Sequence, residues 1–113
     1  MTIDEVKDHP IGKRILEAIE KVKSDGWTLE MGITIDRNNK SCCPLGAVAV
    51  ANDYLFLHNY ESFPEPARDV LGLSLEDALS FAQGFDMVSS NDLFCNHMFY
   101  DMGEAIRKQE IHP

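Results

Sequence analysis

Cys42 and Cys43 stand side by side in SCCPLGAVAVAN, residues 41 to 52, ahead of a proline and an uncharged run. A thiol in the first turn of a helix meets the positive end of the helix dipole, which lowers its pKa and favours the nucleophilic thiolate. On that chemistry Cys43 is a candidate nucleophile, with His58 or His97 as its base. The competing reading is a small buried hydrophobe. Leu45 and a run of Ala and Val follow, and the pair carries neither a C-x-x-C spacing nor a protease signature. Unpaired cysteine is among the residue types most often found in a core, so packing is its commoner use.

Cys42, Cys43, Cys95 and His97 make a set of four ligand types that zinc accepts. On a helix, however, Cys95 and His97 point about 200° apart around the axis and cannot both face one ion. No metal and no cofactor are therefore expected. His97 and Asp101 are four residues apart, the spacing of a histidine oriented by a carboxylate and equally of a solvated surface pair. Cys43, His97 and Asp101 complete the catalytic candidates. Asp86 follows Gly84 and Phe85 at an expected helix end, where it would either cap a segment or present a carboxylate in a cleft. His9 reads as a cap and His58 as a loop residue.

The net charge of −9 is unevenly distributed. Residues 1–40 hold seven Lys/Arg against eight Asp/Glu, residues 41–106 hold only Arg68 against ten acids, and residues 107–113 hold two bases and one acid. An acidic central and C-terminal region repels phosphate backbones, which argues against direct nucleic-acid binding and for a basic partner. Asp77, Asp86, Asp92, Asp101 and Glu104 are the interaction candidates in that zone. They lack the D-x-D-x-D-G spacing of a calcium loop.

These groups need elements to hold them. Ile11, Ile15, Ala18, Ile19 and Val22 recur at steps of three and four, which predicts an amphipathic helix from Pro10 to Lys23 ending at Gly26. Thr2 and Glu5 have capping-box spacing for a short turn before it. From Trp27 to Asp36 the period changes to two, which predicts a strand burying Trp27, Leu29, Met31, Ile33 and Ile35. The RNNK turn, where Asn tolerates positive φ, would then pair Ile33 to Asp36 with Lys40 to Cys43. The uncharged run after Pro44 predicts a buried helix. Pro64 and Pro66 break an aromatic loop, ARDVLG forms a single turn, and Ser74 with Asp77 starts a short helix that Gly84 ends at positive φ. The last helix is expected to begin near Ser90 to Asp92 and to carry Cys95, Met98, Phe99, Met102 and Ile106 on one face.

The expected fold is therefore α+β and mostly α, one globular domain over residues 1–113. Four or so helices and a β-hairpin, about residues 28–43, surround a buried central helix at about 43–53. The N-terminus lacks a signal-peptide pattern, no apolar run reaches the roughly 20 residues of a membrane span, and three cysteines in reduced form suit the cytoplasm.

Trp27-Thr28, Asp36 and the Cys43-x-x-Gly46-Ala47 pattern, followed by a late Phe-x-Asp and by Ala105-Ile106, resemble a small uncharacterised family of bacterial and phage proteins. The glycine usual in the turn after the aspartate is replaced here by Asn39 or Lys40. The resemblance implies a small cytoplasmic accessory protein and transfers no catalytic residue. Function is accordingly expected to be interaction rather than catalysis: a binding or inhibitory module for a basic partner, in its sharper form a nucleic-acid mimic. The rival is a small enzyme using Cys43 with a histidine, or a carboxylate-lined pocket. The apolar stripe of the last helix, with Leu93, Phe94 and Tyr100 added, covers more than one face, which fits either a symmetric homodimer or cover by the hairpin and first helix within the chain.

Overall fold

The computed structural model describes residues 1–56, 61–88 and 96–111. Within them six helices and a three-stranded sheet share one hydrophobic core, an α+β and mostly α architecture. No helix among the described residues is long and apolar enough to cross a membrane.

Helix α1 (Ile3–Asp8) is held by the predicted capping box, with Glu5 N donating to Thr2 Oγ1 at 3.3 Å and Thr2 N donating to Glu5 Oε1 at 3.0 Å. The carboxyl of Glu5 lies below its ordinary pKa chiefly because the Thr2 N–H stabilises the carboxylate. His9 then caps α2 (Pro10–Ser24), its Nδ1 accepting from Ile11 N at 3.1 Å. Ile15, Ala18, Ile19 and Val22 form the buried face of α2, as the three-and-four spacing predicts.

The strand expected over Trp27 to Asp36 is not continuous. Gly32 takes φ +82°, a turn interrupts the run, and Met31 is exposed rather than buried. Two short strands result, β1 (Thr28–Leu29) and β2 (Ile35–Asp36), and β3 (Ser41–Cys42) lies between them. The hairpin register matches Ile35 with Cys42 and Asp36 with Ser41 in antiparallel pairing, while β1 pairs with β3 in parallel. In the turn, the Asp36 carboxylate accepts from Asn38 N, Asn39 N and Asn39 Nδ2 at 3.1, 3.2 and 2.8 Å. The positive φ falls on Lys40, not on an asparagine.

Helix α3 (Pro44–Ala51) is buried from Pro44 to Ala49, which is why its sequence carries no charge. A Cβ on Gly46 would overlap the Thr34 carbonyl oxygen, so only glycine lets the hairpin lie against this helix. The end of α3 is covered by Lys21, whose Nζ donates to Ala51 O at 2.8 Å.

Pro64 and Pro66 do not break structure but start it. They occupy the first turn of α4 (Pro64–Leu71), where a missing N–H has no helical partner to lose, and Gly72 ends the helix at φ +74°. The expected single turn is thus two turns long. Helix α5 (Leu75–Phe85) begins at Ser74, whose Oγ accepts from Asp77 N at 3.1 Å. Gly84 does not end α5 and has no positive φ. It lies inside the helix, where a Cβ would overlap the Tyr100 carbonyl oxygen of α6 (His97–Glu110). Gly103 of α6 meets the Phe81 carbonyl from the other side. These two glycines bring the backbones of α5 and α6 together, the most extensive helix pair in the fold. Helix α6 begins at His97. Asn96 is extended and caps the helix, with Phe99 N donating to its Oδ1 at 3.3 Å. The expected start at Ser90 to Asp92 lies outside the described residues.

Candidate functional site

Two residues singled out from the sequence, Cys43 and Asp86, line the same cavity of about 170 Å³. Its floor is buried and largely apolar: Cys43, Pro44 and Leu45 from the start of α3, with Phe81 and Phe85 from α5. Its mouth is more exposed, with Gly32, Ile33 and Thr34 on one side and Phe63, Ala82 and Asp86 on the other. Three local features set this shape. The turn at Gly32 bends the chain over the cavity, Cys43 N donates to Thr34 O at 3.0 Å, and the end of α5 leaves Asp86 at the rim.

The Asp86 carboxylate is anchored by Gly32, whose N–H donates to Oδ1 at 3.0 Å. Among the described residues, no Lys or Arg forms an ion pair with it. Helix α5 ends at this point, and the negative end of its dipole adds to the carboxylate field.

Cys43 caps α3, with its Sγ accepting from Gly46 N at 3.3 Å. That contact and the helix dipole favour a thiolate, but burial outweighs them and pushes the thiol up to about 11. The nearby negative charge of Asp86 acts in the same upward direction. Burial likewise pushes the Cys42 thiol up to about 12. Both cysteines are free and buried, and at neutral pH both are neutral thiols. The helix dipole thus acts on the Cys43 thiol but is outweighed by burial.

The other candidates disperse. His97 and Asp101 are exposed near the start of α6, and no hydrogen bond joins them among the described residues. Asp77 is half-buried and structural: its Oδ1 accepts from Asn96 Nδ2 at 2.9 Å, tying the starts of α5 and α6 together. Glu104 pairs with Lys108 at 3.2 Å. His58, Asp92 and Cys95 lie outside the described residues, and among those described no three His, Cys, Asp or Glu side chains gather to hold a metal. Much of the stripe behind the expected homodimer is used within the chain, since Phe99, Met102 and Ile106 are buried while Met98 remains exposed.

Sequence reasoning missed the aromatic wall and the role of Gly32. The available signal was a glycine in the middle of an alternating run, which marks a bend or a close backbone contact. The chain matches no family model, no curated protein and no solved structure.

Proposed function

We propose that this chain is a protein-interaction module that takes a basic partner on the acidic surface of its central and C-terminal helices. The observation that carries this reading is the state of Arg68, the one Lys or Arg in residues 41–106. Its guanidinium is already tied to Asp69, Nε to Oδ1 at 2.7 Å. The Arg68 guanidinium and the Tyr54 hydroxyl together hold the Asp69 carboxyl down at about 2. Arg37 and Lys108 pair with Glu61 and Glu104. Asp53, Glu76 and Asp101 remain exposed and belong to none of the ion pairs among the described residues. Such a surface speeds encounter with a positive partner and repels a phosphate backbone. The free thiols suit a reducing compartment such as the cytoplasm. Interaction is preferred to Cys43 chemistry because a buried thiol with a raised pKa is a poor nucleophile at neutral pH.

Titration with a lysine-rich peptide tests this reading. The combined Asp53→Asn, Glu76→Gln and Asp101→Asn variant is expected to bind at least about fivefold more weakly, with a shallower salt dependence, than the parent. Equal affinity of parent and variant overturns the proposal.

A further inference from the structure

We propose that the cavity between Cys43 and Asp86 is a binding site for a small amphiphilic amine, an apolar body of about benzene size carrying one ammonium group. Size supports the apolar body: the cavity measures about 170 Å³, and an apolar protein cavity of about 150 Å³ accepts benzene. The polarity gradient sets the orientation. Phe81 and Phe85 wall a buried floor, while the one ionisable carboxylate, Asp86, stands at the half-buried mouth, which Phe63 also lines. A ligand entering apolar end first therefore leaves its charged head at the rim, where water still reaches it.

The sign of that head follows from three groups. Asp86 supplies a negative charge held in place by the Gly32 N–H at 3.0 Å. The end of α5 contributes the negative pole of its dipole at the same rim. Phe63 lines the same cavity, and a cation seated over an aromatic ring gains a further attraction. The positive pole of α3 opposes them from the floor, but its Gly46 N–H is already engaged by Cys43 Sγ. An anionic head would meet Asp86 directly and is disfavoured. This site is independent of the basic protein partner proposed above, so either proposal survives failure of the other.

Benzylammonium is the probe, with benzyl alcohol as its uncharged counterpart. In the parent protein benzylammonium is expected to bind saturably and about fivefold more tightly than the alcohol, the range of a partly screened charge contact. By NMR it shifts the Gly32 amide together with the ring signals of Phe81 and Phe85, a readout that needs no variant. Asp86→Asn keeps an oxygen for the Gly32 N–H and is expected to bind both compounds equally. Ala82→Leu narrows the mouth and is expected to weaken both. No saturable binding of benzylammonium, or equal binding of the two compounds by the parent, overturns the proposal.

Discussion

Gly84 of α5 lies against the backbone carbonyl of Tyr100 in α6, so close that any side chain there would overlap the oxygen. Two effects compete in Gly84→Ala. Alanine favours a helix interior over glycine by about 1 kcal/mol, whereas forcing a methyl into a packed backbone contact costs about 1 to 3 kcal/mol. Neither backbone can yield alone, because Gly103 holds the same pair of helices together from the opposite side. Gly84→Ala is therefore expected to lower the melting temperature. A variant that melts at or above the parent contradicts the close crossing.

Asn96→Asp separates capping from its tertiary context. Asp and Asn are nearly equal as N-caps, so on local grounds the change is neutral. Here Asn96 Nδ2 donates to Asp77 Oδ1 at 2.9 Å, and the substitution sets two carboxylates against each other. The variant is expected to lose about 1 to 2 kcal/mol at neutral pH. Acid lets two facing carboxylates share a proton, so the deficit should shrink as the pH falls. A pH-independent deficit, or none, contradicts the Asp77 contact.

The thiols predict the alkaline behaviour. Burial raises Cys42 and Cys43 from an ordinary 9.0 to about 12 and about 11. Above pH 9 the unfolded chain releases these protons and the folded chain retains them. Their contribution is therefore fully present below that pH and lost as the pH rises toward the folded values, by about 1.4 kcal/mol per pH unit per thiol. Denaturant unfolding of the parent and of Cys42→Ala across this range checks it: the variant should lose stability less steeply. Parallel alkaline limbs would show that Cys42 is not a buried thiol in the folded state.

The elements most legible in sequence are those whose own residues carry the pattern. Ile15, Ala18, Ile19 and Val22 mark α2 by period, and the absence of charge after Pro44 marks α3 as buried. The sheet was legible only at its hairpin. Strands of two residues have no period to read, and the parallel pairing of Thr28 with Ser41 depends on the turn at Gly32. Gly84 was misread because a glycine that ends a helix and one that admits a neighbour look alike until the neighbour is known. The same limit applies to the cavity. Cys43 and Asp86 each stand out singly, but their meeting depends on how α3 and α5 pack, and no local spacing encodes that.

The central proposal, that exposed acids of residues 41–106 take a basic partner, is tested most directly by affinity capture from a whole-cell extract at about 0.05 M and about 0.5 M salt. The parent chain is expected to retain basic proteins at low salt and release them at high salt, and the Asp53, Glu76 and Asp101 variant to retain much less at low salt. Partners held equally at both salt concentrations, or held equally by parent and variant, would contradict it.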